Sequence, residues 1–172
     1  MTNDILRYIG RIILLTLLQV LIFKQLHFQL GTFNYIHVLI YPYAIITLPV
    51  RIPRNLLILI AFVMGMAIDV FYNSIGVHTS ALVFTAFIRA HVLNLLEPRG
   101  GYNVNASPTR YYLGMNWFIR YLAIMVALHV VFYVSMDVFT FVYIQEIILK
   151  SFFSFIFSMV FILLYQFLFN PK

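Results

Sequence analysis

Long apolar runs separated by short polar stretches dominate the chain. Six runs approach the roughly 20 apolar residues that an α-helix needs to cross a bilayer. They cover about residues 5–23, 35–50, 55–71, 77–96, 116–139 and 144–169. Pro42 interrupts the second run and Pro49 ends it. The pattern predicts a single domain over residues 1–172, an all-α membrane protein with six transmembrane helices in a compact bundle.

The composition supports a membrane location. The chain of 172 residues is 63% hydrophobic and only 9% charged, whereas soluble domains carry about 25% charged residues. A net charge of +6 would favour a nucleic-acid partner in a soluble protein. Here the basic residues lie at the ends of apolar runs, where they act as topology signals and contact lipid headgroups. We therefore expect membrane lipids and no nucleic acid as partners.

The distribution of Lys and Arg predicts the orientation, because cytoplasmic loops are enriched in them. With the N-terminus inside, nine of the eleven lie on or near the inner side, and only Lys24 and Lys150 lie outside. The inner group comprises Arg7, Arg11, Arg51, Arg54, Arg89, Arg99, Arg110, Arg120 and Lys172. Six spans with both termini cytoplasmic preserve this bias.

A stripe of small residues on the third span leads to a carboxylate. Ala61, Gly65 and Asp69 follow one another at intervals of four. Small residues at this spacing let a neighbouring helix approach closely. A carboxylate near lipid costs roughly 2.5–3.5 kcal/mol at the bilayer centre and less near the interface. We therefore expect Asp69 to face protein. Gly76 supplies the backbone freedom that the following outer turn needs, and His78 comes just after it.

Other polar positions have simpler interpretations. Arg89 either reaches the inner headgroups or pairs inside the bundle, with groups near Arg120 on the fifth span or with the inner loop. Asp69 is too far along the membrane normal to be its partner. Hydrogen bonding between helices is the favoured interpretation for Thr16 and Gln19, and close packing for a serine stripe on the sixth span. The stripe consists of Ser151, Ser154 and Ser158.

Motifs for catalysis are lacking in the sequence. There is no Cys, and the five His residues show no metal-ligand spacing. His129 is most simply a neutral, hydrogen-bonded side chain in the fifth span. Neither a phosphate-binding Gly loop nor a Ser/His/Asp arrangement occurs. We therefore expect a protein that is not an enzyme, with no cofactor and no bound metal.

Two adjacent segments resemble a known family. Residues 62–69 read FVMGMAID and residues 74–82 read SIGVHTSAL. They look like the G-x-x-x-D and L-G-x-x-A/S-L pattern in the third and fourth spans of MreD, the rod-shape-determining membrane protein family. Ile75 stands where the family usually has Leu. Similarity in length and topology covers nearly the whole chain, whereas similarity in sequence is concentrated between about Leu56 and Pro98.

The resemblance implies a fold, a location and partners. MreD-like proteins are similar in fold to the substrate-binding subunits of energy-coupling-factor vitamin transporters. They are multi-pass proteins of the bacterial cytoplasmic membrane that bind MreC, and through it act with MreB, RodA and a class B penicillin-binding protein. The implied function is a non-enzymatic scaffold in the cell-wall elongation complex, which supports peptidoglycan synthesis and rod shape. Ala61, Gly65, Asp69, Gly76, His78 and Arg89 are then candidate structural or partner contacts.

A vitamin-transporter subunit with the same fold is the alternative function. That class shows an Ala-x-x-x-Ala face on the first span, where its coupling subunit docks. Residues 12–20 here read IILLTLLQV and contain no Ala, which counts against this alternative.

Overall fold

The computed structural model describes residues 2–25, 28–30, 33–139 and 144–169 of the chain. Within these ranges the helices are α1 (Thr2–Leu21), α2 (Pro42–Ile46), α3 (Arg54–Tyr72), α4 (Val77–Leu95), α5 (Arg110–Leu113), α6 (Met115–Val138) and α7 (Ile144–Phe169). A 3-10 turn (Phe23–Gln25) follows α1 and leads to a small antiparallel hairpin of β1 (Phe28–Leu30) and β2 (Phe33–Ile36).

Four helical stretches in the described ranges are long and apolar enough to cross a membrane. They are Ile5–Gln25, Arg54–Tyr72, Met115–Val138 and Ile144–Phe169. The chain is therefore a mainly helical membrane protein, as the sequence predicts. The fourth predicted span, α4, is helical throughout, but it is more polar because it carries His78, Arg89 and His91. The count of six spans stays a prediction.

The second predicted span is not a continuous helix. Of residues 35–50, only Pro42–Ile46 forms an α-helix, and residues 37–40 have no regular secondary structure. Proline explains where α2 begins and why it does not continue. It has no N–H to donate within a helix, so it is tolerated in the first turn but not further along. Pro42 therefore begins α2 as a first-turn proline, and Pro49 stops the chain from continuing as a helix.

Residues 37–49, which we call the central segment, lie in the middle of the bundle. Residues 38–49 are buried without exception, and no hydrophobic side chain among them is more than 3% exposed. The segment follows α7 from Ser154, which bonds to its start, to Gln166, which bonds to Tyr43. Twelve residues of helix measure about 18 Å. The central segment therefore extends through much of the thickness of the bundle.

Side chains from two helices satisfy the backbone of this extended stretch. Gln19 of α1 donates to the Val38 carbonyl and accepts from the Ile40 N–H, both at 3.0 Å. From α7, Ser154 Oγ accepts from the His37 N–H and Ser158 Oγ accepts from the Leu39 N–H, each at 2.9 Å. An extended chain in apolar surroundings has no water to bond with, so these side chains take its place.

The hydrogen bonding between helices that the sequence predicts for Gln19 is confirmed by its 2.8 Å bond to the Tyr72 hydroxyl on α3. Gln19 also bonds to the backbone of the central segment, which the sequence does not predict. Ser154 and Ser158 bond to the same backbone, in addition to allowing close approach. Thr16 bonds to Ile12 of its own helix, so its predicted bond to a neighbouring helix is not the one that forms.

The far end of the central segment is tied to the loop after α4. The Val50 and Arg51 N–H groups donate to the Ala106 and Val104 carbonyls, at 3.3 and 2.9 Å. Arg11 of α1 is 8% exposed and donates to the Thr47 hydroxyl at 2.9 Å. These bonds place the end of the segment beside the loop of residues 97–109.

Replacing the serines that cap the central segment should destabilise the fold. We expect Ser154→Ala and Ser158→Ala each to lower the free energy of unfolding by about 1–3 kcal/mol, the cost of one buried N–H without a partner. Thermal unfolding in mild detergent measures the effect. Ser135→Ala is the control, since its hydroxyl bonds to Val131 of its own helix at 2.7 Å. Melting temperatures of Ser154→Ala and Ser158→Ala equal to that of Ser135→Ala would contradict this role.

Candidate functional site

The connection between α3 and α4 forms a tight corner, which we define as residues 69–79. Asn73 ends α3 with φ 53°, and Gly76 precedes α4 with φ 82°. Positive φ is strained for most residues, but glycine adopts it without steric cost. The glycine predicted from the sequence to make this turn therefore does so, and it starts α4 without offering a capping side chain of its own.

Asp69 caps the start of α4 from the neighbouring helix. One carboxylate oxygen, Oδ1, accepts from the His78 N–H at 3.0 Å and from Ser74 Oγ at 2.7 Å. The other, Oδ2, accepts from the Thr79 N–H at 2.9 Å and from Thr79 Oγ1 at 2.5 Å. The residue is 7% exposed. Both oxygens are therefore fully engaged with donors of the same chain.

This arrangement replaces the usual helix N-cap. The first N–H groups of a helix lack partners within the helix, and the helix dipole makes this end partly positive. A residue at the N-cap normally accepts from them, but Gly76 cannot. The Asp69 carboxylate, which belongs to α3, satisfies two of these N–H groups and supplies the negative charge that the dipole favours. The same bonds join α3 to α4.

His78 completes the corner and is almost completely buried, with 1% of its surface exposed. Its Nδ1 lies 3.0 Å from Asp69 Oδ1. Three tyrosine rings surround the imidazole, with centroid distances of 4.5 Å for Tyr72, 5.0 Å for Tyr133 and 5.6 Å for Tyr41. The second nitrogen, Nε2, has no hydrogen-bond partner among the described residues.

The small residues of the stripe bring the two helices together below the carboxylate. A Cβ placed on Gly65 would overlap the Thr79 Cα and lie 2.9 Å from the Thr79 N. Ala61 is completely buried on the same face. The backbones of α3 and α4 therefore meet at Gly65, one turn below Asp69, and this proximity places the carboxylate within reach of the α4 N–H groups.

Arg89 lies elsewhere on α4 and pairs inside the bundle, mainly with backbone carbonyls. It is 2% exposed, so it does not extend to the headgroups. Its Nε donates to the Ile46 carbonyl at 3.2 Å, and its Nη2 donates to the carbonyls of Leu48 and Pro49. Of the two alternatives given by the sequence, pairing inside the bundle is therefore the one observed, and Tyr121, next to Arg120 on the fifth predicted span, also contacts the Arg89 guanidinium. The central segment, whose carbonyls lose their helical partners after α2, provides the acceptors.

A cluster of three polar side chains links α4, α6 and the central segment, at a level between the corner and Arg89. Thr85 Oγ1 lies 2.7 Å from His129 Nδ1, and Tyr41 Oη lies 3.0 Å from His129 Nε2. All three residues are completely buried. The expectation that His129 is a hydrogen-bonded side chain inside the bundle is confirmed by these contacts.

The structure thus divides the candidate residues into two places. Ala61, Gly65, Asp69, Gly76 and His78 meet at the corner, whereas Arg89 lies eleven positions after His78, about 16 Å along the helix. Sequence reasoning missed Ser74, Thr79 and Tyr41 as functional neighbours. The short spacing to Asp69 and Gly76 could have indicated Ser74 and Thr79, since Ser and Thr often bond near helix starts.

The donor set does not indicate a metal centre. Within the described ranges, no group of three or more His, Asp or Glu side chains could hold a metal ion. At the corner the only paired titratable groups are Asp69 and His78. The arrangement therefore serves chiefly to bind two helices together. His78 Nε2 takes no part in it and has no hydrogen-bond partner among the described residues.

Comparison of the chain with protein-family models, with curated proteins and with solved structures gives no match in any of the three.

Substitution of Gly65 should separate α3 from α4. We expect Gly65→Ala to lower the melting temperature in detergent by several degrees, since the added methyl group meets the Thr79 backbone, and overpacking costs about 1–3 kcal/mol. Gly10→Ala is the matched control, because nothing lies within 4 Å of a Cβ at that position. If Gly10→Ala destabilises the protein as much as Gly65→Ala does, close approach at Gly65 is not important.

Loss of the Asp69 carboxylate should destabilise the corner. Asp69→Ala leaves the His78 and Thr79 N–H groups without their acceptor, so we expect a loss of roughly 1–3 kcal/mol in unfolding free energy. Asp137→Ala changes an exposed carboxylate near the end of α6 and should have a smaller effect. Thermal unfolding of both variants in the same detergent makes the comparison, and equal losses would remove the special status of Asp69.

Proposed function

We propose that this protein is a non-enzymatic scaffold of the bacterial cell-wall elongation complex, similar to MreD, that binds MreC in the cytoplasmic membrane. Through MreC it would act with MreB, RodA and a class B penicillin-binding protein to support peptidoglycan synthesis and rod shape. The observation that carries the proposal is the corner. The residues that resemble the MreD pattern, Gly65, Asp69 and Gly76 among them, form one structural unit where α3 meets α4.

The chemistry of the corner supports an architectural role for these residues. Gly65 permits contact with Thr79, and Asp69 accepts from donors of its own chain at both oxygens. A catalytic acid needs an oxygen that can reach a substrate. A carboxylate whose oxygens are already bonded on both sides holds helices in place instead. A fixed α3–α4 pair then provides a rigid surface for a partner in the membrane.

The proposal includes a membrane topology. The chain would cross the inner membrane six times, with both termini cytoplasmic, in a bundle similar to the substrate-binding subunits of energy-coupling-factor transporters. The central segment would be the second crossing, in a partly extended form. At its start, the His37 ring centroid lies 5.8 Å from that of Tyr133, which also lies beside His78 of the corner. Its last residues lie near the loop after α4.

Co-purification and cell shape test the proposal. We expect MreC to co-purify with this protein in mild detergent, and deletion of the gene to abolish rod shape in the bacterium that encodes it. Gly10→Ala should restore the shape, whereas Gly65→Ala should restore it poorly because the corner is disturbed. Absence of MreC from the purified protein, together with intact rods after deletion, would refute the scaffold function. A tightly bound vitamin would favour the transporter alternative instead.

A further inference from the structure

A groove of about 440 Å³ lies on the surface of the bundle between α1 and α3. Its lining includes Ile13, Thr16 and Leu17 of α1 and Leu59, Val63 and Ala67 of α3. Thr16 is the one polar residue that lines it, and its hydroxyl donates to the Ile12 carbonyl of the same helix at 2.8 Å. The side chains of the groove therefore offer an occupant apolar contact and no free hydrogen-bonding group.

The size of the lining side chains favours a flexible hydrocarbon chain over another helix. Helices that associate in membranes approach each other through small residues, as α3 and α4 do at Gly65. In the groove Ile13, Leu17, Leu59 and Val63 are each about half exposed. Large aliphatic side chains hold a second backbone away, but methylene groups fit between them.

The groove has the length of one membrane leaflet when it is measured from Lys24. This lysine follows α1, and its ammonium donates to the Phe71 carbonyl in the last turn of α3. Phe71 lies four positions after Ala67 and twelve after Leu59, which is about 6 and 18 Å along the helix. One leaflet of the hydrocarbon core is about 15 Å thick. An acyl chain with its headgroup at the level of Lys24 therefore reaches along the whole groove.

Lys24 provides a fixed positive charge where α1 and α3 end. The last carbonyls of a helix lack helical partners and attract cations, so the bond to Phe71 holds the ammonium in place. The Tyr72 ring centroid lies 5.7 Å from Nζ. Asp137 borders the same neighbouring cavity as Lys24, but the ion pairs of the described ranges do not include Lys24. Two ammonium hydrogens therefore remain for an anion.

We propose that the groove and Lys24 together bind an anionic phospholipid, with one acyl chain between α1 and α3 and the phosphate at the Lys24 ammonium. The apolar lining, the length and the charge at one end match the parts of such a lipid in order. A zwitterionic headgroup also contains an ammonium, which Lys24 repels, so the anionic headgroup is preferred. The proposal needs only the membrane location of the chain and does not depend on MreC.

Native mass spectrometry tests the headgroup contact. The full chain is extracted in mild detergent with equal phosphatidylglycerol and phosphatidylethanolamine, and the retained lipid is counted. Lys24→Gln keeps a donor for the Phe71 carbonyl but removes the charge, and it should lower phosphatidylglycerol retention up to about fivefold. Lys150→Gln is the control, because this lysine pairs with Glu146 on α7 at 2.8 Å and does not line the groove.

A second pair of variants tests the acyl chain. Ala67 is exposed and lines the groove, so Ala67→Phe should fill the groove and lower phosphatidylglycerol retention as much as Lys24→Gln does. Leu14→Phe is the control, since Leu14 is 39% exposed on α1 outside the groove. Thermal unfolding without added lipid checks that each variant is folded. If Ala67→Phe is not, Lys24→Gln still decides.

The comparison of variants identifies the site, because most basic residues lie near the opposite ends of the helices and also attract anionic lipids. Preferential retention of phosphatidylglycerol that is lost in Lys24→Gln and Ala67→Phe but kept in both controls supports the proposal. Equal retention of the two lipids, or equal effects of Lys24→Gln and Lys150→Gln, would overturn it. A photo-crosslinking residue at Val63 should give a lipid adduct in native membranes, and an adduct with a second polypeptide would refute the lipid as occupant.

Discussion

The requirement that every buried backbone group find a hydrogen-bond partner governs this structure. A long helix meets the requirement by itself, but the central segment is extended over residues 37–40 and lies in the middle of the bundle. In apolar surroundings each unpaired N–H or carbonyl would cost several kcal/mol. Polar side chains of the neighbouring helices therefore have fixed positions. Gln19 and Ser158 lie where they do because the backbone between them needs partners.

The same principle explains the corner. Gly76 provides the turn but no cap, so the first N–H groups of α4 depend on a carboxylate from α3. That carboxylate can reach them only because Gly65 lets the helix backbones touch. Steric and polar requirements are therefore coupled, and neither residue has its effect without the other. This coupling is a physical reason for a small residue and an acid to occur one helical turn apart.

The sequence predicts these local features well and the distant ones poorly. The stripe of Gly65 and Asp69 and the turn at Gly76 follow from helical spacing and glycine conformation, which depend on neighbouring residues. The extended form of the second run does not, because its bonds come from residues 19, 154 and 158, which spacing cannot connect to it. Pro42 and Pro49 are the features of the sequence that indicate an interrupted helix in this run. The acceptors for Arg89 are backbone carbonyls. Every residue has one, so the sequence does not show which carbonyls Arg89 contacts.

α4 joins the two ends of this hydrogen-bonded system. At its start the Asp69 carboxylate fixes it to α3, in the middle Thr85 approaches His129, and further on Arg89 binds the carbonyls that follow α2. A helix held at three levels by polar bonds cannot slide against its neighbours without breaking them. The polar residues of α4 therefore fix its position in the bundle. His78 Nε2 differs from these groups in having no partner within the described part of the fold, so the packing of α4 does not account for it.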